Sequence, residues 1–399
     1  MIVSEDDDRP ERARRARWRT AADLLAEVRR TPGVTRAEIA RRLRLSSGLA
    51  TELCARLREL RLLTEEPAPA RGRGRPTTVL RAHPEGPLVA VLELRQEDWR
   101  SAVASLDGAV RLVETVRHGP GHGPADVLAA MRSGLDRVRR GRERRVRAVS
   151  LSVPAPVRGG RLVENSTLRW RAVDFADLAA GTGAPLLVGN DAILAGVAET
   201  RTGAAVGAAV AVHLILEAGI GGALILDGRP MEGAHGTAGE FGHMPFGDRS
   251  LRCLCGARGC WDVVVDGNAL ARSLGDPTPS DVRTYTETVL ARAASGDVRA
   301  GRAVRDAAVA LASGLAGLAN AHDPDVITLG GLAAPLRAAA RDAFDAAYLD
   351  GLMSFHRAAP PPVLDAAHAD DGSLHGAAAV GLDHITTESA LATWSDLHP

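Results

Sequence analysis

The chain contains no lysine: every one of its basic residues is an arginine. Arg stays charged at any accessible pH and makes forked contacts to phosphate and guanine. No run of 18 or more apolar residues occurs, so a membrane span is not expected. The opening MIVSEDDDRPERARRARW has no apolar signal-like core, so export is not expected either and the reading is cytoplasmic. Cysteine is scarce, with four in 399 residues, which excludes a secreted disulfide scaffold. Hydrophobic residues at 45% and charged residues at 25% fit a globular chain, whose length predicts two to three domains.

The net charge of zero conceals a strong asymmetry. Residues 1–8 hold four acids and no base, whereas Arg9 to Arg81 hold 19 arginines against eight acids. The remainder is acidic. A basic front on an acidic body points to a polyanion as partner for the front alone. The expected divisions are a disordered charged tail over 1–17, a DNA-binding head over 18–83 and a body over 84–399.

The head reads as a winged helix-turn-helix. TAADLLAEVRR (20–30) places Leu24, Leu25 and Val28 on one helical face, and Thr31-Pro32-Gly33 ends that helix. Thr35 with Glu38 forms a capping box before a second helix carrying Ile39 and Leu43. After a turn at Arg44-Leu45, Ser46 caps a third helix with Leu49, Leu53, Leu57 and Leu60 expected inward. That third helix is the expected groove reader, with Ser46, Ser47, Gly48 and Thr51 near base edges and Arg56 and Arg58 at phosphates. In RGRGRP, Arg71, Arg73 and Arg75 alternate with glycine and suit a wing that enters a narrow minor groove. Alone, that stretch reads equally as a solvated linker, and three helices alone also suit a protein-interaction module.

From Leu88 the texture becomes α/β. LVAVLELR, SAVASLD and AVRLVETV suggest a meander, ADVLAAMRSGLDRVRR a helix, and PLLVGNDAILAGVAE a strand running into a helix. Strands also surround the GIGG turn, and an alanine-rich helix (299–321) precedes DVITLGG. The alternation, made twice, predicts two lobes with a cleft between them.

GAHGTAGEFGHM followed by CLCGARGCWD resembles the signature of the ROK family of bacterial repressors and sugar kinases. NDAILAGVAE, GIGGALILDG and DVITLGG match the same family in order, from about residue 88 to the C-terminus. The resemblance implies an actin-like, sugar-kinase-like (ribonuclease H-like) ATPase fold behind the winged head of the ROK repressors.

His243, Cys253, Cys255 and Cys260 give H-x9-C-x-C-x4-C, one imidazole and three thiolates, which suits a closed structural Zn2+ site. The resemblance implies the same four ligands; buried reduced cysteines are the plainer alternative. For the sugar, the resemblance implies Asn190, Asp191, Glu240, His243 and Asp262, with Asp191 in the family's general-base position. His243 would bind metal through one nitrogen and a hydroxyl through the other. Asn190 and Asp191 also read as helix caps, and Glu240 as a solvated loop acid. Asp262 stands where the family has Glu, Thr167 where it has Asn, and Ala155 where it has Gly.

ROK kinases carry an Asp-x-Gly-Gly-Thr turn for ATP phosphates. The aligned residues are Glu93, Leu94, Arg95, Gln96 and Glu97, with both glycines replaced and two acids expected to repel phosphate. The second loop, Gly-Thr-Gly in the kinases, reads Glu217-Ala218-Gly219. The expectation is therefore a non-enzymatic regulator, a repressor acting on double-stranded operator DNA as a homodimer or homotetramer, with a sugar or sugar-phosphate effector. The rivals are a ROK sugar kinase with a DNA-binding head, and a regulator controlled by a protein partner after loss of sugar binding.

Overall fold

The computed structural model describes residues 9–68, 78–119, 122–165 and 167–398, with side chains from Arg17 onward. Helix α1 runs over Arg9–Arg30, so residues 9–17, expected as disordered tail, are helical. The stretch is rich in Arg, Ala and Glu, all good helix formers, and its one proline falls in the first turn, where a missing N–H costs nothing.

Helix α2 (Arg36–Arg42) opens on the expected capping box: Thr35 Oγ accepts the Glu38 amide at 3.3 Å and Glu38 Oε2 accepts the Thr35 amide at 2.8 Å. Ser46 Oγ accepts the Leu49 amide at 3.2 Å and starts α3 (Ser47–Glu59). Leu53, Leu57 and Leu60 face inward as expected, but Leu49 is 41% exposed. The buried set is Ala50, Leu53, Cys54 and Leu57, the i, i+3, i+4, i+7 stripe of a 3.6-residue helix, and Leu49 falls beside it. Strands β1 (Leu63–Pro67) and β2 (Thr78–Ala82) pair antiparallel as the base of the wing. Arg71, Arg73 and Arg75 lie outside the described residues.

The first lobe is the expected meander, β3 (Leu88–Leu94), β4 (Asp98–Ser105) and β5 (Val110–Arg117), followed by α4 (Pro124–Arg139) and β6 (Val146–Val153). A small sheet of β7 (Val157–Arg158), β8 (Arg161–Asn165) and β9 (Trp170–Asp174) precedes β10 (Leu186–Asn190). The main sheet is ordered β10-β6-β3-β4-β5, with β6 parallel to β3 and β10 parallel to β6. Helix α5 (Asp191–Thr202) carries the chain into the second lobe.

There β11 (Val210–Leu216), β12 (Ile220–Leu226) and β13 (Arg229–Pro230) again form a meander. Helices α6 (Gly267–Leu274), α7 (Val282–Ala294) and α8 (Val298–His322) lead to β14 (Val326–Gly331). Then α9 (Ala333–Ala339), α10 (Arg341–Gly351) and α11 (Ser354–Ala358) lead to β15 (Val363–Asp365). The order β13-β12-β11-β14-β15 repeats the plan of the first sheet, antiparallel on one side of its first strand and parallel on the other. Helix α12 (Gly372–Ile385) returns to pack on β3 and β6, and α13 (Glu388–Leu397) ends the fold.

Helices α5 and α12 cross between the lobes. They approach so closely that a side chain at Gly376 would collide with the Leu194 carbonyl oxygen, so only glycine serves there.

Contacts also cross the 83/84 boundary. One apolar core joins Leu24, Ile39 and Leu57 of the head to Leu391 and Trp394 of α13 and to Val89, Val91 and Leu382 of the first lobe. Trp394 Nε1 donates to the Leu60 carbonyl at the end of α3, at 2.8 Å. The C-terminal helix therefore packs as part of the head.

Candidate functional site

The cleft-side end of β10 and the start of α5 place Asn190 and Asp191. Asn190 Oδ1 accepts the Ile193 amide at 3.0 Å, and its Nδ2 donates to Asp191 Oδ1 at 3.1 Å. Asp191 Oδ1 also accepts the Ala192 amide at 2.8 Å, while Oδ2 has no partner among the described residues. The helix-cap reading holds, and it leaves the second carboxylate oxygen of Asp191 unengaged among the described residues. Burial pushes the Asp191 carboxyl up to about 7 against the Ala192 amide, with Glu217, Glu93 and Glu240 adding negative charge nearby.

The loop after β13 brings in Glu240 and His243. Glu240 Oε2 lies 3.8 Å from His243 Nε2, and His243 Nδ1 lies 3.9 Å from Cys253 Sγ. The imidazole therefore turns Nδ1 to the thiols and Nε2 to Glu240. Cys255 Sγ and Cys260 Sγ are 3.6 Å apart, and the ligand atoms of His243, Cys253, Cys255 and Cys260 all lie within 4.8 Å of one another. A tetrahedral ion with metal–sulfur bonds of about 2.3 Å would separate its sulfurs by about 3.8 Å, close to the Cys255–Cys260 distance. Gly256 and Gly259 take the left-handed turns, at φ 92° and 71°, that bring the sulfurs together. The donor set fits a soft divalent metal with all four positions filled by protein.

Asp262 is engaged within the chain. Its Oδ1 accepts the Ile220 amide at 2.7 Å, and its Oδ2 lies 3.5 Å from His243 Nδ1. The side chain thus ties the His/Cys cluster to the β11–β12 turn. Thr167 is exposed on the turn between β8 and β9, and its hydroxyl has no partner among the described residues. Sequence reasoning missed its neighbour Asn165: 6% exposed, it donates to Pro154 O at 2.5 Å and accepts from the Leu168 amide at 2.6 Å, pinning both lobe-one loops. The NSTL stretch gave no positional clue, since only the fold brings Pro154 to it.

The two turns aligned with phosphate loops are occupied by ion pairs. Glu93 is 1% exposed, paired with Arg100 and hydrogen-bonded by the Ser373 hydroxyl. The expectation that Glu93 repels phosphate is thus corrected, because its charge is compensated. Arg95 makes a two-pronged bond to Asp98, both arms 2.8 Å. Burial raises the pKa of Glu97, and Asp281 raises it further against the nearby Arg95. Glu217 pairs with Arg283 from α7.

On the head, Ser47, Gly48 and Thr51 are exposed on α3, and Thr51 Oγ donates to the Ser47 carbonyl at 2.8 Å. Ser46, also exposed, acts as the cap. Arg56 is exposed, and it donates to Glu59 at 3.2 Å and to Ser395 Oγ of α13 at 3.0 Å. It lies on the flank of α3 that α13 covers, which spacing within α3 alone does not reveal.

A family model described as ROK family matches residues 92–384, and one described as MarR family matches residues 19–74. Glucokinase from Streptomyces coelicolor is 29% identical over 228 residues, covering 52% of this chain and 71% of that one. A ROK family transcriptional regulator described as a homolog of the E. coli MLC protein superposes with TM-score 0.75 at 20% identity, covering 95% of this chain and 99% of that one, which shows the fold. The ROK hexokinase from Thermus thermophilus superposes with TM-score 0.58 at 30% identity, covering 77% and 99%.

Proposed function

The chain belongs to the ROK family, with a MarR-type winged helix-turn-helix in front, and from that premise we propose a DNA-binding transcriptional repressor whose kinase-like body senses a sugar or sugar derivative without phosphorylating it. The observation that carries this reading is the content of the cleft. At both turns where a kinase cradles phosphate, this chain has a glutamate held by its own arginine, Glu93 by Arg100 and Glu217 by Arg283. Phosphoryl transfer depends almost wholly on positioning and on charge stabilisation of the phosphates. In both places the chain's own ion pairs stand where a kinase offers donors to phosphate.

The sugar half keeps its acceptors. Asp191 Oδ2 and the Glu240 carboxylate offer acceptors to hydroxyls, and His243 Nε2 offers a donor. Zinc at His243, Cys253, Cys255 and Cys260 would be structural: all four positions are filled by protein, so it supplies rigidity and fixes the orientation of the imidazole. On the head, Ser46, Ser47 and Thr51 read base edges, and Arg71, Arg73 and Arg75 contact phosphates or the minor groove. The protein acts on operator DNA as a homodimer or homotetramer, one helix-turn-helix per half-site. No helix among the described residues is long and apolar enough to cross a membrane.

The test pairs two measurements on the full chain. An ATP and magnesium assay across a monosaccharide panel is expected to give no turnover, and saturable binding of one sugar is expected by calorimetry, lost in Glu240→Gln. Turnover with any sugar overturns the non-enzymatic reading. Silence across the panel favours control by a protein partner, the reading motivated by Ala155, Thr167 and Asp262 standing where the family has other residues.

A further inference from the structure

Two consecutive carboxylates, on the segment that leaves β15 and enters α12, lie between arginines of different lobes. Arg100 on β4 is 7% exposed; its Nη1 donates to Asp371 Oδ1 at 2.5 Å and its Nη2 to the Asp370 carbonyl at 3.1 Å. Arg283 on α7 donates from Nη2 to Asp370 Oδ2 at 2.7 Å. The other edge of each arginine holds the glutamate of one phosphate-loop position, Glu93 for Arg100 and Glu217 for Arg283. Arg283 also bonds Glu287 of its own helix at 3.1 Å. The result is a continuous series, Glu93, Arg100, Asp371 with Asp370, Arg283 and Glu217, running across the cleft.

Forked guanidinium groups are the usual partners of phosphate oxygens. Here aspartate carboxylates fill that role from within the chain. We propose that Asp370 and Asp371 are an internal phosphate surrogate: they occupy the arginine pair Arg100 and Arg283, close the former nucleotide cleft to polyphosphates and latch one lobe to the other. The segment bearing them is attached to the second lobe through β15 and to the first through α12, so lobe motion must stretch one pair or the other. Its far end continues through α12 into α13, whose Trp394 grips the head. This deepens the regulatory reading by naming what holds the lobes, and it rests on the two-lobed fold and not on any sugar.

The experiment uses full-length protein and inorganic pyrophosphate as probe, measured by calorimetry. The double variant Asp370→Asn/Asp371→Asn removes the aspartate charge from both arginines and is expected to bind pyrophosphate about tenfold or more tighter than the parent. Adding Arg283→Ala is expected to abolish the gain. Spin labels on β5 and α10 are expected to report a wider lobe separation in the double variant. Equal pyrophosphate affinity in parent and double variant overturns the proposal, as does a gain that survives Arg283→Ala. If the double variant does not fold, Asp370→Asn alone serves, since that side chain is 51% exposed and its loss leaves no buried hole. A sugar panel reads a different group of residues, so failure of sugar sensing and failure of the latch are separately visible.

Discussion

Replacing Trp394 should loosen the head while leaving the second lobe intact. The indole is 2% exposed and packs into the core shared by α3, α13 and the first lobe. Its N–H satisfies the Leu60 carbonyl, one of the last carbonyls of α3 with no partner inside the helix. The ion pairs between α13 and the head add little, because Arg19 is 75% exposed in its pair with Glu388. Truncation of a buried Trp to Ala costs about 3–5 kcal/mol, packing and cavity together. Trp394→Phe keeps most of the packing and loses about 1–3 kcal/mol through the orphaned carbonyl. If the head opens as a local unit, hydrogen exchange at the α3 amides should rise about 10²- to 10³-fold in Trp394→Ala and about tenfold in Trp394→Phe. The amides of α8 serve as the internal control. Unchanged exchange in α3, or an equal rise in α8, would refute the idea that α13 is the clamp.

Two further outcomes follow from His213 and from the His/Cys cluster. Burial lowers the His213 pKa to about 4, with Glu199 opposing, and its Nε2 has no partner while Nδ1 meets Thr328 Oγ at 2.8 Å. The unfolded chain takes up that proton near its ordinary value and the folded chain only near the lowered one, so stability is full above the ordinary value and falls as pH drops toward 4, by about 1.4 kcal/mol per pH unit. Urea denaturation of His213→Gln across that window should show a shallower loss than the parent; parallel curves would refute the assignment. Elemental analysis should find about one zinc per chain, with Cys255→Ser depleted and the parent losing thermal stability to a chelator. Full zinc retention by Cys255→Ser would remove that residue from the ligand set.

Local features were legible without the fold. The capping box at Thr35 and Glu38, the Ser46 cap, the meander from Leu88 and the alanine-rich helix all appear where periodicity and capping place them. These depend on contacts within a few residues, which sequence spacing encodes directly. The spacing of His243, Cys253, Cys255 and Cys260 was likewise enough to bring four donors together, because a short glycine-containing loop has few ways to fold around them. Leu49 and the helical residues 9–17 were misread for the same local reason: a leucine beside a stripe resembles one on it, and charge density resembles disorder.

What spacing along the chain determined, then, was the sequence of elements, the four clustered His and Cys donors and the replacement of glycine in both turns aligned with the kinases' phosphate loops. Which charges compensate which was decided only in three dimensions. Arg100 meets Asp371, Arg283 meets Asp370, Trp394 meets Leu60 and Asp262 turns to Ile220, all across separations far longer than any helical or strand period. A carboxylate in a sequence carries no mark of whether it will be free or paired; that depends on which cation the folded chain brings within a few ångströms, and on how much water is left between them.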